Sequence, residues 1–168
     1  MADFLPCYES MIINEGGYKL HQVAGDRGGM TYAGIARNRW PDWQGWRWVD
    51  KGQLPPVDDV RSFYRINFWI PIQGDKIADQ AIAANIFDFA VNAGVGVAVK
   101  LAQIVAGTTP DGRIGPKTLE AINQLNADAF RPAYALAKMA RYRDIVTRDR
   151  SQGKFLLGWL NRTLKEAA

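Results

Sequence analysis

The chain has 168 residues, of which 48% are hydrophobic and 23% are charged. This is the composition of an ordinary globular protein, and it excludes a disordered chain, a collagen and a coiled coil. No stretch approaches the roughly 20 consecutive apolar residues that a membrane span requires, so we expect no stable membrane insertion. With one cysteine and one histidine, an intrachain disulfide is impossible and a zinc site is not expected.

The net charge of +4 is unevenly distributed along the chain. Residues 1–85 hold 9 basic and 10 acidic residues, whereas residues 86–168 hold 12 and 7. The basic second half suits a polyanion such as nucleic acid, anionic lipid or an acidic wall polymer, and a solvated helix face is the alternative. The first residues lack a basic region and include Asp3 and Glu9, so we expect no classical signal peptide.

The first predicted helix spans residues 2–15 and carries one apolar stripe. The stripe consists of Phe4, Leu5, Tyr8, Met11 and Ile12. Glu15 falls in register with this stripe, and Gly16 and Gly17 then end the helix. A carboxylate is unusual in that position.

The rest of the chain predicts a nearly all-helical protein. Residues 16–34 contain six glycines and predict a long ordered loop or an irregular ribbon, and four tryptophans follow within residues 40–48. A helix capped by Asp58 or Asp59 is expected to reach about residue 68. Further helices are expected at 77–93, 97–106, 116–125, 129–149 and 153–166, with Pro116 and Pro132 near helix starts.

Glu15 is the first candidate catalytic residue. Burial against an apolar face and the negative end of a helix both disfavour the carboxylate, so both raise its pKa. An acid that stays protonated near neutral pH is what cleavage of a glycosidic bond needs. The alternative is a glutamate whose aliphatic stem packs inside while its carboxylate reaches water.

The segment after Glu15 supplies further groups of the same chemistry. The sequence reads EGGY from Glu15 to Tyr18 and DRGGMTYAGI from Asp26 to Ile35. It therefore offers a second carboxylate, Asp26, and a hydroxyl, Thr31, that can orient a water molecule. These motifs resemble glycoside hydrolase family 108, the N-acetylmuramidases of phage lysis proteins and of bacterial secretion activator proteins. Their order is also similar to that of phage-type lysozymes.

The resemblance covers about residues 8–90 and implies a role for each matched residue. Glu15 matches the catalytic acid, whereas Asp26 and Thr31 match the second carboxylate and the water-positioning hydroxyl of phage-type lysozymes. The interval from Glu15 to Asp26 is longer than in those lysozymes. Asp88 is therefore the rival for the second carboxylate, although a structural hydrogen bond with Asn92, one turn later, is the alternative.

Aromatic residues near these motifs are candidates for sugar binding, because aromatic rings stack on sugar rings and line ligand clefts. Packing in the core is the common alternative. We expect one or two of the clustered tryptophans to reach the cleft, with tyrosines as competitors. The substrate-binding candidates are Tyr18, Tyr32, Trp43, Trp46, Asp88 and Asn92.

The second half has its own motif in TPDGRIGPKT, residues 109–118. It combines an Asp-Gly turn with a proline that opens a helix. The pattern is similar to the turn of peptidoglycan-binding domains, and residues 86–165 resemble the predicted peptidoglycan-binding region that accompanies this hydrolase family. A tight helix-to-helix turn that binds nothing is the alternative.

Together these observations predict a compact all-α, lysozyme-like protein, with a catalytic region at 1–90 and a helical peptidoglycan-binding region at 91–168. The resemblance implies hydrolysis of the β-1,4 bond between N-acetylmuramic acid and N-acetylglucosamine in peptidoglycan, and it implies no metal or organic cofactor. We expect a monomer that acts in the periplasm or cell wall, and a prophage origin stays open. The alternatives are a non-catalytic wall-binding or secretion-regulating protein and a nucleic-acid-binding helical domain, although no nucleic-acid-reading motif is present.

Overall fold

The computed structural model describes residues 1–22 and 29–167, and most of these residues are helical. The helices are α1 (Phe4–Asn14), α2 (Trp46–Val49), α3 (Val57–Tyr64), α4 (Gln80–Ala93), α5 (Val95–Val105), α6 (Pro116–Asn123), α7 (Ala127–Arg148) and α8 (Gly153–Ala167). A π-helical turn, Arg65–Trp69, continues α3, and short 3-10 turns lie at Gly74–Lys76 and Arg150–Gln152. The predicted mainly helical class is confirmed. Among the described helices, none is both long and apolar enough to cross a membrane.

Two helix details differ from the sequence prediction. The residue before α3 is Pro56, which supplies no side-chain cap, so the predicted capping by Asp58 or Asp59 is wrong. Both acids instead lie in the first turn of α3, where their charge complements the positive end of the helix dipole. Helix α7 begins earlier than predicted because the side chain of Asn126 caps it, and Pro132 therefore lies inside the helix.

The glycine-rich segment after α1 forms a small sheet rather than only a loop. Strands β1 (Leu20–Gln22), β2 (Met30–Tyr32) and β3 (Ile35–Ala36) are antiparallel neighbours in that order. The turn between β2 and β3 is made by Ala33 and Gly34, which have φ values of 50° and 79°. Such paired positive φ values allow a two-residue hairpin that matches the twist of the strands.

A continuous core joins the first and second halves of the chain. On one side of α4, Phe4 packs against Trp69 and Phe87, with ring centroids 5.5 and 5.8 Å apart. On the other side, α4 and α5 pack against α7, and the Tyr134 hydroxyl donates to the Ala98 carbonyl at 2.9 Å. Helix α4 therefore packs against both halves of the chain, so that residues of the first half and of the C-terminal helices can lie at one site.

Candidate functional site

Glu15 lies immediately after α1, where the helix ends. Its backbone N–H donates to the Met11 carbonyl at 3.0 Å, and Gly16, with a φ of 89°, then turns the chain away. The side chain continues the buried face formed by Tyr8 and Met11, and 23% of it is exposed. Glu15 is thus a largely buried carboxyl group with access to solvent.

The β2–β3 turn forms one wall around this carboxyl group. A Cβ atom on Gly34 would lie 3.1 Å from Glu15 Oε2 and 2.6 Å from the Tyr64 hydroxyl. The Tyr64 hydroxyl donates to the Ala33 carbonyl at 2.8 Å, which holds the turn in place. Only glycine therefore lets the turn approach both the acid and the tyrosine so closely.

Electrostatics favour the protonated form of Glu15. Burial raises its pKa, and Arg162 from α8 partly opposes this rise. Arg162 Nη2 lies 4.0 Å from Glu15 Oε1, which is too far for a hydrogen bond. Within residues 1–22 and 29–167, no hydrogen bond to the Glu15 carboxyl group is present. Burial therefore favours the protonated form of Glu15, and no described residue holds its carboxyl group by a hydrogen bond.

The other two proposed catalytic residues belong to the glycine-rich segment. Asp26 lies outside the described residues. Thr31 lies in the middle of β2, paired with His21 of β1 and Ala36 of β3. Because side chains alternate along a strand, the Thr31 side chain points to the opposite face of the sheet from the buried Tyr32 ring. It lies next to His21, which is exposed.

Two of the aromatic candidates are buried. Tyr32 and Trp46 are each 2% exposed. The Trp46 indole donates to the Trp40 carbonyl at 2.7 Å, and the Tyr32 ring lies parallel to that of Trp43. A ring so fully covered cannot stack on a sugar, which corrects the expectation that Tyr32 and Trp46 contact substrate.

Tyr18 and Trp43 are only partly buried. The Tyr18 hydroxyl forms a 2.8 Å hydrogen bond with the Tyr8 hydroxyl, so the core holds it on the same face as Glu15. Trp43 lines an aromatic groove of about 600 Å³ together with Trp40 and Phe63. This groove does not include Glu15.

Asp88 and Asn92 lie one turn apart near the end of α4. The Asn92 amide donates to the Asp88 carbonyl at 2.8 Å and to Asp88 Oδ2 at 3.1 Å. Asn92 also lines a pocket of about 210 Å³ between α4, α7 and α8, together with Arg141 and Arg162. Through Arg162 this pocket, which we name the arginine pocket, adjoins Glu15.

The Asp-Gly turn in the second half is organised by Gln103 of α5, which is 1% exposed. The Gln103 amide group donates to Asp111 Oδ1 at 2.8 Å, to the Arg113 carbonyl at 3.0 Å and to Thr118 Oγ1 at 3.2 Å. Its oxygen accepts from the Gly112 N–H at 2.8 Å. These bonds join α5 to α6 and give the motif a role inside the fold.

Sequence reasoning did not identify Tyr64, Gly34 or Arg162 as parts of the site. Gly34 stands within the DRGGMTYAGI motif and Arg162 within residues 86–165, but no local pattern links either of them to Glu15. Tyr64 lies on α3, 49 positions after Glu15, and reads as an ordinary core residue. Only the fold brings the three together.

Comparison with known proteins agrees with this architecture. The family model described as glycosyl hydrolase 108 matches residues 8–94, and the model described as a predicted peptidoglycan domain matches residues 97–164. A solved structure titled "Structure of Brucella abortus SagA" is 26% identical, with a TM-score of 0.75, over 98% of this chain and 91% of that one. No curated protein matches the chain significantly.

The two family matches indicate action on peptidoglycan in the periplasm or cell wall. They agree with the predicted resemblance and with the lysozyme-like, mainly helical fold. Since the first model matches just over half of the chain, the chain belongs to glycosyl hydrolase family 108 and is a glycoside hydrolase with a predicted peptidoglycan domain.

Proposed function

We propose that the protein is an N-acetylmuramidase that cleaves the β-1,4 bond between N-acetylmuramic acid and N-acetylglucosamine, with Glu15 as the general acid. The observation that carries this proposal is the state of the Glu15 carboxyl group. It is largely buried, its pKa is raised by that burial, and no hydrogen bond from the described residues occupies it. Such a group can hold a proton until the glycosidic oxygen accepts it.

The remaining steps follow from the chemistry of glycoside hydrolysis. Protonation of the bridging oxygen lets the leaving sugar depart, while positive charge develops on the ring of the other sugar. Asp26 is the proposed carboxylate that stabilises this charge or activates water, and Thr31 is proposed to position that water. The resemblance to phage-type lysozymes supports both assignments.

The β2–β3 turn supports the geometry that this reaction needs. Tyr64 anchors Ala33, and Gly34 then closes against Glu15, so the acid is held by packing rather than by a hydrogen bond. A rigid acid loses little freedom on reaching the transition state. The residues around Glu15 therefore position the proton donor without competing for its proton.

The test is lysis of purified sacculi by Glu15→Gln. The amide is nearly the same size but cannot donate the acid proton, and general acid catalysis is typically worth about 10² to 10⁴-fold in rate. The matched control is Glu9→Gln, which changes an exposed glutamate of α1 and which we expect to retain activity. A folded Glu15→Gln protein that clears sacculi at the wild-type rate would contradict the assignment.

The bond is identified from the products. Borohydride reduction of the released fragments converts the new reducing sugar to its alcohol. We expect muramitol, whereas glucosaminitol would show that the other glycosidic bond is cleaved. Binding to sacculi without any release of reducing ends would instead indicate a non-catalytic wall-binding protein.

A further inference from the structure

The arginine pocket next to Glu15 is not used by the proposed chemistry. It opens between the end of α4 and the helices α7 and α8, and its volume is about 210 Å³. That volume is below the 300–1,000 Å³ typical of sites for drug-sized ligands. It suits a short substituent on a sugar better than a whole disaccharide.

Its position relative to Glu15 ties the pocket to the cleavage site. Arg162 lines the pocket, and its Nη2 is 4.0 Å from Glu15 Oε1. A sugar whose glycosidic oxygen reaches Glu15 therefore has its neighbouring substituents within reach of Arg162. The ligand of the pocket should be part of the same substrate.

The charge of the pocket selects an anion. Arg141 and Arg162 both line it, and none of the described residues that line it is acidic. Arg141 makes no hydrogen bond or ion pair with the described part of the chain. Among the described acidic residues, Glu15 lies 4.0 Å from Arg162, and the Asp88 carboxylate accepts a hydrogen bond from the Asn92 amide. Guanidinium groups of this kind bind carboxylates strongly and directionally.

The remaining wall of the pocket is aromatic. The rings of Tyr142 and Trp159 stack with centroids 5.0 Å apart and an interplanar angle of 26°. A flat apolar wall beside two cations suits a ligand that joins a small alkyl group to a carboxylate. A lactyl ether, with its methyl group and carboxyl carbon on one atom, has this form.

We propose that the arginine pocket binds the carboxylate-bearing substituent on O3 of the muramic acid residue. The inference rests on the proposed function, because that function supplies a muramic acid next to Glu15. In bare glycan strands the carboxylate is that of the lactyl group itself. In strands that carry peptides, the lactyl carboxyl is amidated, and the carboxylates belong to the stem peptide.

The experiment compares three substrates and three proteins. The substrates are glycan strands stripped of peptides by an amidase, the same strands with their carboxylates converted to methylamides, and strands that retain their peptides. The proteins are the wild type, Arg141→Gln and the control Arg148→Gln. Arg148 lies two turns further along α7, is exposed and does not line the arginine pocket.

We expect Arg141→Gln to raise KM about tenfold on a substrate with the recognised carboxylate, with little change in kcat, because one charge-assisted hydrogen bond is lost. On methylamide strands, Arg141→Gln should have the same KM as the wild type. The control Arg148→Gln should have the wild-type KM on all three substrates. A higher KM of Arg141→Gln on stripped strands identifies the lactyl carboxylate as the ligand. A higher KM only on peptide-bearing strands identifies a carboxylate of the stem peptide. Equal KM values for Arg141→Gln and the wild type on both charged substrates would overturn the proposal, and so would an undiminished penalty on methylamide strands.

Two further measurements keep this inference separate from folding and from catalysis. Arg141→Lys retains the charge and should keep most of the preference for charged strands, even if Arg141→Gln is unstable. Binding of N-acetylmuramic acid, which has no bond to cleave, is followed by NMR against its carboxamide. Wild-type protein that binds the acid through Arg141 but cleaves no strand would refute the proposed function alone.

Discussion

Replacing Gly34 with alanine should damage both the stability and the activity of the protein. The residue has a φ of 79°, and an alanine in that region costs about 1–2 kcal/mol. The new Cβ would lie 2.6 Å from the Tyr64 hydroxyl, so that hydroxyl must move away from the Ala33 carbonyl. A buried donor left without its partner costs about 1–3 kcal/mol. The expected loss is therefore about 2–5 kcal/mol of unfolding free energy.

Urea denaturation followed by tryptophan fluorescence measures this loss, and Gly52→Ala is the matched control. Gly52 has a φ of 72°, and nothing lies within 4 Å of the position of its Cβ. It should therefore show only the conformational cost of about 1–2 kcal/mol. Because typical domains have 5–15 kcal/mol of stability, we expect both variants to fold.

The activity of the two variants should differ as well. The Cβ of alanine at position 34 would also lie 3.1 Å from Glu15 Oε2, so we expect the carboxyl group to be displaced and turnover to fall. The Gly52→Ala variant should hydrolyse sacculi at the wild-type rate. If Gly34→Ala is no less stable than Gly52→Ala and remains fully active, the turn is not the wall that holds Glu15.

Three further predictions concern charge at the site. Burial raises the pKa of Glu15 in the folded state, so the wild type loses stability as pH rises through that pKa and the buried carboxyl group ionises. The Glu15→Gln variant should therefore have a higher melting temperature than the wild type at pH 7 but not at low pH. A difference in melting temperature that does not change with pH would contradict this. Arg162 lowers the same pKa, so Arg162→Gln should move the alkaline limb of the kcat profile to higher pH, and an unchanged limb would show that the two groups do not interact. Asp26→Asn should lower kcat with little change in melting temperature, whereas Asp88→Asn should act mainly on stability; exchanged results in these two assays would make Asp88 the second carboxylate.

The helical parts of the fold were predictable because their signals are local. The apolar stripe of α1 and the glycines after Glu15 predict both the helix and the position of its terminal carboxyl group, as observed. The small sheet was missed because its strands have two or three residues each. So short a strand has no periodicity, and its pairing depends on the turn at Ala33 and Gly34.

The surroundings of Glu15 were not predictable, because they depend on contacts between distant residues. Whether a tryptophan faces a groove or the core depends on which helix covers it. Trp43 lines a groove whereas Trp46 is buried, although the two are only three positions apart. The bonds of Gln103 to the Asp-Gly turn likewise join residues that have no shared pattern. Tertiary packing, not local propensity, decides these positions.

The 4.0 Å approach of α8 to Glu15 has a consequence for how such enzymes diverge. A single amino-acid change at position 162 alters the proton affinity of the acid without touching the acid or the segment that surrounds it. The C-terminal helix therefore places an adjustable charge beside Glu15, and a chimera whose helix lacks a basic residue at position 162 should have a higher Glu15 pKa than this chain. Adaptation to a more acidic or more alkaline cell surface can then proceed through a residue that lies outside the matched hydrolase region.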